Sequence, residues 1–174
     1  MDISKIHPDE SLTYQQISGF VRKSFAEIKN NADINAIMHF HSINKFLLMA
    51  HNPSHVRILG NLIANHETLP LSTILERYGE YLETVLKNEP TIKSHANVLQ
   101  KIFGYFKNDL TKEEKSKILK MISDYRTGKE TLNDVLLLLE DFTERFQKTY
   151  LVRQTYFLLY AKMPNSTQIK NICS

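Results

Sequence analysis

Apolar residues recur at intervals of three and four along almost the whole chain, which is the spacing of one face of an α-helix. Near the amino terminus, this spacing is shown by Phe20, Val21, Phe25 and Ile28, which predict a first helix over roughly 12–30. Five Gly and five Pro are few for a chain of this length, and they favour helices over a turn-rich β architecture. The pattern therefore predicts an all-α fold, a single compact bundle of about seven to eight helices.

Residues that cap helices mark several boundaries. Asp33 is expected to cap the second helix, and Asn52 followed by Pro53 is expected to begin the third. Thr111 and Glu114 form a capping-box pattern that opens the sixth helix. The other predicted boundaries are an end of the third helix near Asn65, a fourth helix through Ile74–Leu86, a fifth over about 92–107, a carboxy-terminal cap at Gly128, a seventh helix from Thr131 and a shorter eighth over about 151–161.

Length and composition point to one folding unit. The chain has 174 residues, of which 42% are hydrophobic and 24% charged. A chain of this size buries enough surface to fold without disulfide bonds or a structural metal. No internal repeat, low-complexity segment or linker divides it. We therefore expect a single domain over residues 1–174, with a core over about 12–161 and loose tails such as "MPNSTQIKNICS".

Cysteine usage and hydropathy limit the compartment and the chemistry. Cys173 is the only cysteine, so the chain alone forms no internal disulfide and no cysteine-ligated metal or iron–sulfur site. The start, "MDISKIHPDESLTY", is polar, and the longest apolar runs are too short to span a membrane. We therefore expect a cytoplasmic protein that uses no metal, no cofactor and no membrane.

Positive charge is concentrated in the second half of the chain. The net charge is +3, but the stretch Lys93–Lys129 contains nine basic and only four acidic residues. A local basic face suits phosphate better than a uniformly charged surface does. For any single lysine, a solvated helix surface is the alternative interpretation.

The segment "MHFHSINKFLLMAHN" contains three histidines and a lysine in an otherwise apolar run. His39 and His41 point away from each other on a helix, so they cannot both ligate one metal. His41 and Lys45 share a face, and His51 stands at the helix end, where the helix dipole favours imidazolium. With Arg57 they would form an anion pocket. The alternative is a solvated His39 and a hydrogen-bonded core His41.

A second polar group follows in "SHANVLQKIFGYFKNDL". Asn97, Lys101 and Tyr105 share one helical stripe, Lys107 follows, and His95 lies at the apolar edge. Amide, ammonium and phenol on one surface suit phosphate contact and base stacking. Tyr125 and Arg126, with Lys129, would extend this surface. Gly104 in mid-helix is expected to allow either a neighbouring helix or a ligand to approach closely.

These two segments resemble the YbgA-like family, whose function is unknown. The resemblance covers roughly residues 20–160 and rests on four ordered blocks, "FHSINKFLLMAHNPSHVRILG", "HANVLQKIFGYFK", "DYRTGK" and "QTYF". The chain departs from the family over 130–142, where both family prolines are absent and Asp141 stands in the place of a histidine. The ordered blocks are more specific than any single motif.

The resemblance implies a role in binding RNA. Family members occur alone, often encoded near DNA photolyase, or fused to an iron–sulfur desulfidase-like domain that acts on thiolated uracil, where they are thought to help hold tRNA. We therefore expect a non-catalytic RNA-binding accessory domain that binds tRNA through one polar groove and is linked to thiouridine metabolism or ultraviolet stress. The residues expected to line that groove are His41, Lys45, His51, Arg57, His95, Asn97, Lys101 and Tyr105, with Lys107, Tyr125 and Arg126 beside them.

Two other functions fit the same residues. One is an enzyme that closes this groove on a small anionic or nucleobase substrate, with His41 or His95 as the acid–base group. The other is a protein-interaction module that docks a desulfidase-type or photolyase-type partner through an exposed apolar patch. No nucleophile motif, glycine-rich phosphate loop or pair of carboxylates favours catalysis.

Overall fold

The structure, a computed structural model, describes residues 12–31 and 33–160. All regular elements in these ranges are helices, which confirms the prediction of an all-α fold. None of the helices in these ranges has the length and apolar character needed to cross a membrane. Both predicted tails, including Cys173, lie outside the described residues.

Contacts divide the described chain into two helical units. The amino-terminal unit is Thr13–Pro90, and the carboxy-terminal unit is described over residues 91–160. Each unit is described by itself below. The expectation of a single domain over residues 1–174 stays a prediction.

The amino-terminal unit begins its second and third helices at the predicted caps. The Asp33 side chain accepts a hydrogen bond from the Asn35 amide, and the Asn52 side chain accepts one from the His55 amide, with Pro53 as the first helical residue. Asn52 also ends the second helix, so the turn between the two helices is a single residue. The helices are α1 (Tyr14–Asn31), α2 (Ile34–His51), α3 (Pro53–Ala64) and α4 (Leu71–Leu86), with a short 3-10 turn at His66–Thr68.

Three aromatic rings form the centre of this unit. Phe25 from α1, Phe40 from α2 and Tyr78 from α4 have centroids 5.4 to 6.1 Å apart. Gly79 makes room for Phe25, because a β-carbon added there would lie 3.2 Å from its ring. Tyr78 is wholly buried, so the packing fixes the direction of its hydroxyl.

The carboxy-terminal unit differs from prediction at two helix ends. The fifth helix ends at Gly104 rather than near 107, and the chain then continues as a turn. The predicted eighth helix is two short helices, because a turn at Arg153 separates them. The helices are α5 (Ile92–Gly104), α6 (Lys112–Arg126), α7 (Leu132–Arg145), α8 (Thr149–Val152) and α9 (Thr155–Tyr160).

Capping boxes open the three long helices of this unit. In each, a threonine hydroxyl accepts from the amide three residues on, and that residue's side chain accepts from the threonine amide. The box of α7 falls in the region 130–142, where the sequence was expected to depart from the family, and this region is an ordinary capped helix. The pairs are Thr91 with Ser94, Thr111 with Glu114, and Thr131 with Asp134.

Two glycines in this unit have opposite roles. Gly128 ends α6 as predicted, with a φ of 75° and its amide bonded to the Tyr125 carbonyl. Gly104 is the last residue of α5 and is exposed, and a β-carbon added there would meet no described atom within 4 Å. Close packing of a neighbouring helix therefore does not explain Gly104, and that part of the expectation was wrong. The approach of a ligand at Gly104 stays a prediction.

Replacement of Gly104 by alanine is expected to raise the free energy of unfolding by about 0.5–1 kcal/mol, because it reduces the freedom of the unfolded chain without a clash. Gly128→Ala is the matched control, and we expect it to lower the free energy of unfolding by about 1 kcal/mol, because φ there is positive. Urea unfolding of both variants checks the signs. A destabilised Gly104→Ala protein would contradict the open surroundings of this residue.

Candidate functional site

The residues expected to bind a ligand fall into two groups, one in each unit. Four lie in the amino-terminal unit and seven in the carboxy-terminal unit. That both groups line one groove stays a prediction. The groups are His41, Lys45, His51 and Arg57 in the first unit, and His95, Asn97, Lys101, Tyr105, Lys107, Tyr125 and Arg126 in the second.

His41 is half-buried on α2 and is held by Tyr78. Its Nδ1 lies 3.0 Å from the Tyr78 hydroxyl oxygen. Burial of the ring, followed by the charge of Lys45, lowers the pKa of His41 to about 4, so the imidazole is neutral near pH 7. Burial also raises the pKa of Tyr78 well above its ordinary value, so the phenol keeps its proton.

The phenol determines which nitrogen of His41 carries the ring proton. The Tyr78 hydroxyl is buried, and Nδ1 is its only hydrogen-bond partner among the described residues. A buried O–H needs an acceptor, so it donates to Nδ1. The proton of the neutral imidazole therefore lies on Nε2, which makes Nε2–H a hydrogen-bond donor.

Gly60 lies beside that donor. A β-carbon added to Gly60 would be 3.4 Å from His41 Nε2, which is close to the shortest ordinary contact. The absence of a side chain on this residue of α3 therefore leaves room next to Nε2. Arg57 is exposed and lies one turn before Gly60 on the same helix.

Lys45 and Arg57 lack acidic partners in the described ranges. Lys45 is half-buried, one turn after His41 on α2, and near enough to lower the pKa of His41. The ion pair of this unit that is described is Arg22 with Glu83, and it involves neither residue. His41, Lys45 and Arg57 thus supply hydrogen-bond donors and positive charge, and the two cations form no ion pair with a carboxylate of the described residues.

His51 has a structural role instead. It is only 5% exposed, and its Nδ1–H donates to the Asn88 carbonyl oxygen at 2.8 Å. Burial lowers its pKa, and the charge of Arg22 lowers it further, although the bond to Asn88 opposes both effects. The expected imidazolium at the helix end was therefore wrong, because burial is the largest influence on the pKa of His51. His51 connects the end of α2 to the residues after α4.

His95 and Tyr125 are also inside the protein. His95 is 7% exposed, and its Nδ1 lies 2.7 Å from the hydroxyl oxygen of the wholly buried Tyr156. Tyr125 is 8% exposed, and burial raises its pKa. The expectation that Tyr125 extends the polar surface of α5 is corrected, because little of its ring reaches solvent.

The predicted stripe on α5 is exposed, and a second tyrosine extends it. Asn97, Lys101, Tyr105 and Lys107 all lie at the surface. The Tyr105 ring stacks on Tyr150 of α8, with centroids 5.8 Å apart and planes 22° from parallel. We call these five residues the basic–aromatic surface. Sequence reasoning missed Tyr150, because no local spacing connects it to α5.

The lysines of this surface are available to an anion. The ion pairs described in the carboxy-terminal unit involve neither Lys101 nor Lys107, and Arg126 is also exposed without an acidic partner in these ranges. Those pairs join Lys120 to Asp124, Arg145 to Glu114 and Lys148 to Asp109. Within the described residues, no three histidine, cysteine or acidic side chains are grouped so that they could hold a metal ion.

Comparison with known proteins shows the family. Residues 45–161 match the family described as "Protein of unknown function (DUF1722)", and the chain belongs to this family. It is similar to the "Uncharacterized protein YbgA" of Escherichia coli (strain K12), with 26% identity over 131 residues, which cover 75% of this chain and 78% of that protein. The resemblance to the YbgA-like family is thus confirmed. No solved structure matches the chain.

Proposed function

We propose that the protein is a non-catalytic, cytoplasmic RNA-binding domain, with tRNA as its ligand and the basic–aromatic surface as its contact. The observation that supports this proposal best is the stacked pair of Tyr105 and Tyr150 beside two lysines that have no acidic partner among the described residues. Unpaired bases stack on exposed aromatic rings, and lysines neutralise the phosphates that connect successive nucleotides.

The surroundings of this surface support the same ligand. Asn97 adds an amide on the same stripe of α5, where it can bond to a base edge or a sugar hydroxyl. The basic stretch Lys93–Lys129 spans α5 and α6, so positive charge extends beyond the two lysines of the surface. A link to thiouridine metabolism or ultraviolet stress is part of this proposal and rests on the family resemblance.

Binding to tRNA is expected to weaken steeply with salt, because each neutralised phosphate releases counterions. Lys101→Ala and Lys107→Ala should each reduce the slope of log affinity against log salt concentration by roughly 0.7–0.9. Tyr105→Ala should weaken binding by about 1–3 kcal/mol, roughly 5- to 150-fold, and leave the slope unchanged, since it removes stacking alone. Fluorescence anisotropy with labelled tRNA across a salt series measures both quantities.

Two variants serve as matched controls. Lys29→Ala removes the same charge from an exposed position outside the surface, and Tyr105→Phe keeps the aromatic ring. Both should bind nearly as well as the unaltered protein. The proposal is rejected if the unaltered protein does not bind RNA, or if Lys29→Ala weakens binding as much as Lys101→Ala does while circular dichroism shows that both are folded.

A further inference from the structure

The amino-terminal unit contains a histidine, His41, whose ring orientation is fixed by a hydrogen bond to a buried tyrosine. Phe25 and Phe40 pack against Tyr78, and the Tyr78 hydroxyl donates to His41 Nδ1. This arrangement leaves Nε2–H as the outer donor. Nε2 has no hydrogen-bond partner among the described residues, and it is not among their buried unpaired atoms. A donor held in this way binds a ligand with little loss of side-chain entropy.

The space next to Nε2 is left open by a glycine. An acceptor oxygen must come within about 2.7–3.2 Å of Nε2 to bond to it. A methyl group on Gly60 would lie 3.4 Å from the same atom and would occupy that side of the ring. Gly60 therefore permits an approach that any larger residue would obstruct.

The charges around this opening favour an anion. Lys45 lies one turn after His41 on α2 and Arg57 lies one turn before Gly60 on α3, and neither has an acidic partner in the described ranges. An ammonium without an ion-pair partner gains a favourable interaction when an anion binds beside it. A guanidinium adds paired donors that match the oxygens of a phosphate.

From this geometry we propose that His41 Nε2–H, the Lys45 ammonium and the Arg57 guanidinium bind a single phosphate group beside Gly60. Three donors on two helices suit a tetrahedral anion better than a planar carboxylate, which offers only two oxygens. His51 is not part of the site, because its Nδ1–H is bonded to Asn88. The phosphate comes either from a small free phosphate or phosphomonoester, or from an RNA backbone. The site does not depend on the function proposed above.

The test uses inorganic phosphate and the full chain labelled with nitrogen-15. Long-range proton–nitrogen spectra report each imidazole separately. Without phosphate, His41 should show a neutral ring with its proton on Nε2. Addition of phosphate should shift its Nε2 signal in a saturable way. Lys45→Gln should weaken the apparent affinity at least about tenfold, and Gly60→Ala should weaken it as well.

Controls identify the source of any shift. His39→Gln removes an exposed histidine from the other side of α2, and Lys29→Gln removes an exposed lysine from α1, so both should leave the affinity unchanged. The proposal is overturned if phosphate does not move the His41 signal of the unaltered protein, if that shift does not saturate, or if Lys29→Gln and Lys45→Gln weaken binding equally.

Two further ligands separate the sources of the phosphate. If single-stranded RNA produces the same His41 shift as inorganic phosphate, the site binds a backbone phosphodiester. If a nucleoside monophosphate does so and RNA does not, the site binds a small phosphomonoester. A protein that binds phosphate at His41 but no RNA would refute the proposed RNA-binding function and leave this site intact.

Discussion

Replacement of Tyr156 by alanine is expected to lower the free energy of unfolding by about 3–5 kcal/mol, the cost of removing a large buried aromatic ring. Tyr156 is wholly buried in α9, and its ring lies 5.2 Å from that of Tyr160 and 5.8 Å from that of His95, between centroids. Loss of this ring would leave a cavity and remove the hydrogen-bond partner of His95. Urea unfolding followed by circular dichroism measures the change.

Tyr156→Phe separates the hydroxyl from the ring. It should cost about 1–3 kcal/mol, because it leaves Nδ1 of the buried His95 without its present partner. Tyr105→Phe makes the same chemical change at an exposed position and should stay within about 0.5 kcal/mol of the unaltered protein. If Tyr156→Phe were as stable as Tyr105→Phe, the bond between His95 and Tyr156 would contribute nothing to the fold.

Acidification is expected to destabilise the amino-terminal unit between about pH 6.5 and pH 4. The pKa of His41 is about 4 in the fold and 6.5 without the protein environment, so in this window the unfolded chain binds the proton more readily. Stability from this group is therefore complete above pH 6.5 and is lost as the pH falls, with a slope of at most about 1.4 kcal/mol per pH unit. The lowered pKa of His51 acts in the same direction.

Unfolding experiments at several pH values test this slope. His41→Gln should flatten the dependence of unfolding free energy on pH. His51 keeps part of the slope in this variant. An unchanged slope in His41→Gln would mean that the imidazole of His41 is not held neutral by its surroundings.

The sequence predicted most of the helices because their signals are local. Periodic apolar residues and caps such as Asp33, Asn52 and Thr111 involve neighbours within four residues, and the structure places helix starts at all three. The end of α5 was misplaced, because the apolar residue Phe106 follows Gly104 and continues the pattern although the chain has turned. Burial of Phe106 gives no information on whether the backbone there is helical.

The candidate sites depended on contacts that spacing cannot reveal. Helical spacing placed Asn97, Lys101 and Tyr105 on one stripe, and all three are exposed, the first two on α5 and Tyr105 at its carboxy-terminal cap. It could not show that Tyr150 stacks on Tyr105, or that Asn88 accepts from His51, because each pair joins distant segments. A polar residue type indicates chemistry, but its burial and partners follow from tertiary packing.

The capping boxes of α5, α6 and α7 have a consequence for how the chain folds. Each box joins Thr91, Thr111 or Thr131 to a residue only three positions away, so it closes as soon as that short segment exists. Closing so short a loop costs little entropy and does not wait for a distant partner. During synthesis, the start of each of these helices is therefore specified by its own segment and does not require that the helices packed against it have already left the ribosome.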